Sequence, residues 1–512
     1  MAGIFAVYMK KELDQSRKKL LEKCASRLKH RGPKHTYKYE KFPFKLIFHQ
    51  KKMPKNNRSL NFSFNENSTK FVAIDGQIYN LDEINEKYIN PDYKAKNNSL
   101  NLEGLIAGFE EIDIRILQQA MGSFSGIMFY NDELIGFKDL VGAKPLYYCK
   151  TEDVFALSSE LKALIPLEVD VKPVFPGTII SSNGRKERYF HYPEFINSYK
   201  ITKTQVLKLT KELKKLVRQA VVDNIRKGEI ICSLLSGGLD SAIVTYIAKD
   251  HIADLNIYTV GAEDSRDLYY AKEFAGLYNL NHKILKVTLK DMLDCLPDVI
   301  YALETFDAAL IRSSVPMFLL SKEINANHNC DVILTGEGGD ELFGGYNYLK
   351  NFDSYSSVNN ELLNLLRSEH LTGLQRVDRI PYYFSIEARA PLFDRRLVEY
   401  SFKIPPELKI KKESYGTADK WILRKAFEDE IPDEFVWRKK QKFSDGAGTQ
   451  FLLRNLIERV ISDEEFNSQK QIAPSLTLRS KEELFYWRIF NSQFNPTKET
   501  LSEIGITKNY II

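Results

Sequence analysis

Six residues in mid-chain, Ser236-Gly237-Gly238-Leu239-Asp240-Ser241, bring together the groups an anion site needs. A Gly-Gly turn exposes successive backbone N–H groups, the hydroxyls of Ser236 and Ser241 add donors, and a helix opening at the turn supplies positive potential. The spacing fits neither G-x-x-x-x-G-K-[ST] nor G-x-G-x-x-G, so the usual mononucleotide loop and the dinucleotide fingerprint are both poor readings. A second run, Thr335-Gly336-Glu337-Gly338-Gly339-Asp340-Glu341-Leu342-Phe343-Gly344-Gly345-Tyr346, mixes glycines and acids at a density that packing does not explain. Its glycines permit close backbone approach to a ligand. Asp240 and Asp340 are hard oxygen donors suited to Mg²⁺ on a phosphate chain. Glu341 reads either as a site residue or as a helix-start acid favoured by the dipole.

These residues need a scaffold that puts them at one edge. Apolar runs at 233–235, 257–260 and 332–334 read as short strands, each followed by a loop and a helix, the first helix over 242–249. That alternation predicts a parallel α/β sheet with its site at the strand C-terminal ends. Leu234 on the strand edge and the backbone of Val260 are placed to meet an adenine, and Asp267 opens the next helix. The first half of the chain has another texture. Strand-like runs at 4–8, 44–48, 71–74, 125–130 and 134–138, a helix over 15–28, and Asp-Gly, Asn-Asp and Val-Gly turn chemistry predict mostly antiparallel material. A long helix over 203–227 opens the second half, which sets the expected domains at 1–200 and 201–512.

Composition narrows the function classes. The 73 basic and 68 acidic residues nearly cancel to +5 and form no long single-sign block, so nucleic acid is not demanded as a partner. The five cysteines are odd in number, scattered and without C-x-x-C spacing, which indicates neither a disulfide framework nor a zinc or iron–sulfur site. No stretch approaches about 18 apolar residues and the N-terminal apolar run is too short for a signal peptide; the expectation is a soluble, cytoplasmic protein with no membrane partner.

Ser-Gly-Gly-x-Asp-Ser resembles the pyrophosphate loop of the ATP pyrophosphatases, which cleave ATP to AMP and pyrophosphate and activate a substrate by adenylation. Further motifs lie in order along the chain. They are Gly3-Ile4-Phe5, His30-Arg31-Gly32-Pro33, Asp75-Gly76-Gln77-Ile78-Tyr79-Asn80, the run opening at Gly142, and the run opening at Ser159. Glu304 to Asp307, Ile311 to Pro316, Glu387 to Asp394, Lys420 to Arg424 and Trp437 to Gly446 follow them. Together they resemble the glutamine-hydrolysing asparagine synthetases over essentially the whole chain. The resemblance implies an N-terminal-nucleophile type, antiparallel αββα glutaminase domain followed by a parallel-sheet α/β ATP pyrophosphatase domain. It also implies ATP and Mg²⁺ as cofactors, and ATP-binding roles for Leu234, Ser236, Gly237, Gly238, Asp240, Ser241, Val260, Thr335 and Gly336. Lys440 matches the family's catalytic lysine and Glu337 its acid at the reacting centre. Asp307, Arg312, Glu341 and Glu387 match the substrate pocket. Gly339 stands where many relatives have serine.

The glutaminase half departs from the family at its reacting atoms. The family's nucleophilic cysteine is Ala2 here, and a methyl group forms no thioester. The carboxylate-binding arginine falls at Lys51, the two acids for the α-ammonium at Gln77 and Asn101, and the oxyanion-stabilising asparagine at Asp75, whose negative charge opposes an oxyanion. Loss at several positions is the pattern of a decayed domain rather than one engineered change. The expectation is therefore an ATP-dependent carbon–nitrogen ligase acting on a small carboxylate, aspartate first, with ammonia free or delivered by a partner, in a chain that could be a homodimer. A related lactam- or amide-forming synthetase on another carboxylate and a non-catalytic scaffold are the rival readings.

Overall fold

The computed structural model describes residues 2–51, 61–64, 70–89, 102–196, 201–261, 265–327, 330–413, 416–438, 450–474, 476–504 and 506–507. The chain divides into two compact units, Met1–His191 with Gln471–Leu478 and Trp487–Ile504, and Tyr192–Lys470 with Arg479–Tyr486 and Gly505–Ile512. The first unit therefore recruits segments from the far end of the chain, which no sequence pattern announced.

The first unit is built on two six-stranded antiparallel sheets. One runs Val171–Pro173, Tyr147–Lys150, Val154–Ser158, Ala2–Met9, Phe44–Gln50, His35–Lys41; the other runs Lys186–Arg188, Thr178–Ser181, Glu133–Lys138, Gly122–Tyr130, Phe71–Ile78, Phe62–Phe64. Successive side chains of a strand point to opposite faces. In Ala2–Met9, Ile4 and Ala6 turn to Phe71, Ile127 and Leu134 of the facing sheet. Phe5, Val7 and Met9 turn the other way, to Leu21, Cys24 and Ala25 of the helix Gln15–Ser26. The helix Glu103–Ile112 packs on Phe71–Ile78, which completes the αββα layering. Asp75-Gly76 lies inside the strand Phe71–Ile78 and not at a turn. Gly76 has φ +101°, and any side chain there would overlap the Ser123 carbonyl; the glycine serves strand approach.

In the second unit a five-stranded parallel sheet runs Asn281–Lys286, Asn256–Gly261, Ile231–Leu234, Val332–Leu334, Glu387–Arg389. The helices Leu239–Lys249, Arg266–Leu277 and Ala308–Asn327 pack against it. The three central strands fall where apolar runs predicted them. The first helix begins at Leu239, three residues earlier than its apolar spacing suggested, so Asp240 and Ser241 sit in its first turn. The helix Lys203–Asp223 opens with a Thr202–Gln205 capping box and stops at Asn224, whose side chain donates to the Ala220 carbonyl at 2.8 Å, short of the expected residue 227. All five cysteines are buried with free thiols. Among the described residues no helix is long and apolar enough to cross a membrane.

One buried amine has no hydrogen bond among the described residues. Lys409 is fully buried, its Nζ has no hydrogen-bond partner among the described residues, and it lies 4.9 Å over the Phe195 ring. Burial pulls its amine down to about 7. The unfolded chain takes up this proton near the ordinary lysine value of about 10.4, so between about pH 7 and 10 the unfolded state holds more protons and stability rises with pH. Lys409→Met should then raise stability by ~2–4 kcal/mol at or below pH 7, with the gain shrinking towards pH 10. Thermal melts of both proteins at the two pH values check this; a gain independent of pH would show that Lys409 is not buried as an amine.

Candidate active site

The strand Ile231–Leu234 ends in the turn that carries the glycines. Gly237 has φ +75°, and a side chain there would overlap the Asp267 carbonyl. Ser241 Oγ donates to the Gly238 carbonyl at 3.1 Å and accepts from Ser236 N–H at 3.1 Å, with the two serine hydroxyls 3.0 Å apart. Those hydroxyls brace the turn. The helix N-cap is Gly238, with no side-chain cap, which leaves the first N–H groups of Leu239–Lys249 open to an anion. Gly336 packs so closely on the start of this helix that a Cβ would stand 2.5 Å from Ser241 N. Thr335 N–H donates to the Arg389 carbonyl at 2.9 Å, and Val260 is buried near the end of its strand. Leu234, Ser236, Gly237, Gly238, Asp240, Ser241, Val260, Thr335 and Gly336 thus all lie at the C-terminal ends of three adjacent strands.

Asp240 and Asp340 meet at one atom. Lys420 Nζ pairs with Asp240 Oδ2 and, at 2.5 Å, with Asp340 Oδ1. The lysine is buried with φ +48°, and the two carboxylates outweigh burial to hold it above the usual lysine range. A side chain on Gly339 would overlap the Asp240 carboxylate, and one on Gly345 would overlap both Asp340 and Lys420. The glycines are what let two acids and a lysine converge, and a serine at 339 does not fit this arrangement. Among the described residues no group of three or more His, Cys, Asp or Glu side chains is set to hold a metal by itself. Two carboxylates that share one cationic centre suit a hard dication completed by phosphate oxygens. They fit Mg²⁺ once the ammonium of Lys420 gives way.

Arg438 covers the turn. Its guanidinium donates to the Gly237 carbonyl, pairs with Asp267, and lies 4.3 Å over the Tyr270 ring. Lys440, two residues on, lies outside the described residues.

Around Glu337 the structure assembles partners that sequence reasoning missed. Arg376 pairs with Glu337 Oε1. Glu341 is buried; its Oε1 accepts from Tyr346 Oη at 2.5 Å, and its Oε2 has no hydrogen-bond partner among the described residues. Burial, reinforced by Asp340 and Glu337, pushes the Glu341 carboxyl up to about 7. Glu369 is buried beside them and lies well above the usual carboxylate range, chiefly by burial and then by Glu341 and Glu337. Neither Arg376 nor Glu369 stands in a glycine-rich or spaced motif, so nothing in the sequence marks them.

Three residues of the expected substrate pocket are engaged within the chain. Asp307 accepts from Leu310 N–H at 2.7 Å, Thr507 N–H at 2.9 Å and Arg479 at 2.7 Å. Arg312 pairs with Glu482, which also accepts from Tyr486 Oη at 2.8 Å. Glu387 lies in the edge strand, 3.1 Å from Arg389 Nε.

In the first unit, Ala2 N–H donates to Asp75 Oδ1 at 2.8 Å, and Arg31 pairs with Asp75 at 2.6 Å and with Glu160 at 2.8 Å. Arg31 Nε donates to the Ala2 carbonyl at 3.1 Å, and Glu160 also holds Lys162 at 2.7 Å and His30 at 3.0 Å. Arg31, Lys162, Asp75 and Glu160 are each 0 % exposed, a buried network of ion pairs. Gln77, two residues along the strand from Asp75, has no hydrogen-bond partner for Oε1 among the described residues. Lys51 follows the strand Phe44–Gln50, half-buried, and Asn101 lies outside the described residues.

Comparison with known proteins agrees along the chain. The family model described as Asparagine synthase matches residues 212–369 and 350–495, and the one described as Glutamine amidotransferase domain matches residues 1–180. Asparagine synthetase B [glutamine-hydrolyzing] of Escherichia coli is 30% identical over 96% of this chain and 91% of its own length. The asparagine synthetases [glutamine-hydrolyzing] of Asparagus officinalis and Zea mays are 30% and 29% identical, each over 96% of this chain and 86% of their own. With a glycine turn, two acids at one cation and this extent of similarity, the chain belongs to the asparagine synthetase family.

Proposed function

We propose that this chain is an ATP-dependent amide-forming ligase. It transfers the adenylyl group of ATP to the side-chain carboxylate of aspartate with release of pyrophosphate, and ammonia then displaces AMP to give asparagine. The observation that carries the reading is the convergence of Asp240 and Asp340 on one cation directly beside the Ser236–Ser241 turn. The N–H groups at the helix start bind the β- and γ-phosphates and leave the α-phosphorus exposed to the carboxylate. Leu234, Val260, Thr335 and Gly336 border the adenosine. Asp240 and Asp340 would hold Mg²⁺, which when bound supplies charge neutralisation on the pyrophosphate.

Lys440 is the cation for the α-phosphate. Its support is its match to the family's catalytic lysine, and a fixed cation there would neutralise charge on the α-phosphate. Glu337, oriented by Arg376, accepts a proton from the attacking amine. Of the four substrate-pocket residues, Glu341 has a buried carboxylate oxygen, Oε2, without a hydrogen-bond partner among the described residues.

The nitrogen comes from ammonia supplied from outside the first unit. Its relatives are named as glutamine-hydrolysing, but Ala2 has no thiol, and the Asp75 carboxylate is committed to Arg31 and the Ala2 N–H. The expected result with ATP, Mg²⁺, aspartate and ammonium chloride is AMP, pyrophosphate and asparagine in equal amounts, measured by chromatography. ADP as the nucleotide product would refute the adenylation, and glutamine serving as well as ammonium would refute the nitrogen source.

A further inference from the structure

The glycines that make the nucleotide turn also leave it free to take other conformations. Residues 237 and 238 are both glycine, so no Cβ bars the peptide plane between them from turning over. That plane carries the Gly237 carbonyl on one edge and the Gly238 N–H on the other, pointing opposite ways in a trans peptide. In the fold the carbonyl accepts from Arg438, and the N–H donates to Ser236 Oγ at 3.3 Å, on the side of the serine brace. Gly238 is the N-cap of Leu239–Lys249, so this one peptide borders the helix start. Turned over, it would set a partly negative carbonyl oxygen beside the anion that the helix N–H groups attract.

Arg438 is fixed from three sides. Besides the Gly237 carbonyl, its guanidinium pairs with Asp267 and lies 4.3 Å over the Tyr270 ring, which packs edge-on to Phe435 with 6.4 Å between ring centroids. Arg438 and Asp267 are both buried. A Cβ at residue 237 would stand 2.3 Å from the Asp267 carbonyl and 3.1 Å from Arg438 Nη1, so the turn, the start of Arg266–Leu277 and Arg438 close on one point. A planar guanidinium can serve a carbonyl and a carboxylate together at fixed angles, which an ammonium does not reproduce. Its charge is offset by Asp267, so its contribution to the turn is geometry more than field.

We propose that Arg438, held by Asp267, is a positioning residue for the phosphate turn: it locks the Gly237–Gly238 peptide in the orientation that accepts a pyrophosphate group. The proposal rests on the ligase reading and deepens it. A turn held in its binding shape before the ligand arrives loses less freedom on binding, and the gain falls on ligands that occupy the turn.

Calorimetric titration with pyrophosphate and Mg²⁺ reads the turn, and titration with AMP, which lacks the β- and γ-phosphates, reads the rest of the nucleotide site. In Arg438→Met and Arg438→Lys alike, the Kd for pyrophosphate and the KM for ATP should rise about tenfold or more, the weight of one hydrogen bond to a charged group. The Kd for AMP should stay within twofold. Unchanged pyrophosphate affinity in Arg438→Lys would show that charge is all the residue supplies, and an equal loss of AMP affinity would show general damage to the site; either result overturns the inference. Asp267→Asn decides by sign, and because it keeps volume it remains readable if Arg438→Met does not fold. Removal of a negative charge near the turn would by itself tighten pyrophosphate binding, whereas release of Arg438 from its anchor should weaken it. Tighter or unchanged binding overturns the inference. The ligase reading fails separately, if the parent binds pyrophosphate but releases none from ATP and aspartate; the binding measurements then still decide the role of Arg438. A parent that binds no pyrophosphate overturns both.

Discussion

Asp240→Ala should lower ATP-dependent pyrophosphate release by at least ~10²- to 10³-fold, the usual loss when one fixed electrostatic contact to a reacting phosphate or oxyanion is removed. The reason is local. Asp240 stands in the first turn of Leu239–Lys249, and through Lys420 it is tied to Asp340 on the neighbouring glycine-rich turn. Removing it takes away half of the carboxylate pair that would neutralise a cation on the pyrophosphate, and leaves Lys420 with one partner. Because Asp340 remains, the buried ammonium is not stranded, and the protein should still melt cooperatively within a few degrees of the parent. Activity and melting measured on the same preparation separate the two effects. Normal turnover by Asp240→Ala would exclude both the metal role and the location of the phosphate site.

What was legible in the sequence, and what was not, follows from how each feature is stabilised. The strands at 231–234, 256–261 and 332–334 are largely buried and mostly apolar because they lie in the middle of a parallel sheet, so their apolar runs expose them. The two outer strands carry no such signal. Asn281–Lys286 is a partly exposed edge, and Glu387–Arg389 is charged yet buried, with Arg389 paired to Glu387 and, at 2.7 Å, to Glu229. Glycine turns were visible as chemistry for the same reason: little else places glycines and acids together. Lys420 is the instructive omission. It stood inside a recognised segment, yet its role depends on a left-handed backbone at residue 420 and on missing side chains at Gly339 and Gly345, which only the folded chain reveals. Arg376 and Glu369 lie on consecutive helices, and Arg376 reaches Glu337, 39 residues away, through tertiary packing that local spacing does not show.

Restoring the missing thiol should not restore a glutaminase. Ala2→Cys would place sulfur at the end of a strand whose N–H is already bonded to Asp75, and Asp75 is in turn clamped by a fully buried Arg31. A tetrahedral oxyanion formed there would face a carboxylate instead of a donor, in a setting where losing one donor alone costs about 3–4 kcal/mol. Glutamate release from glutamine by Ala2→Cys should therefore stay at a trace, with ammonium-dependent synthesis unchanged. The obvious repair, Asp75→Asn, meets a second obstacle. Asp75 and Glu160 pair with the buried Arg31, and Glu160 pairs with the buried Lys162. Neutralising Asp75 takes one charged partner from the buried Arg31, and breaking such a pair costs about 3–5 kcal/mol. Asp75→Asn should unfold the first unit at markedly lower denaturant, while Asp75→Asn combined with Arg31→Met, which removes both charges, should recover much of the loss. Denaturant titrations of the single and double variants measure that coupling. If Asp75→Asn is as stable as the parent and, with Ala2→Cys, hydrolyses glutamine briskly, then the network is incidental and the domain is one substitution from activity; if it is unstable and inert, the ion pairs have become the domain's scaffold, and a return to glutamine chemistry would require rebuilding them.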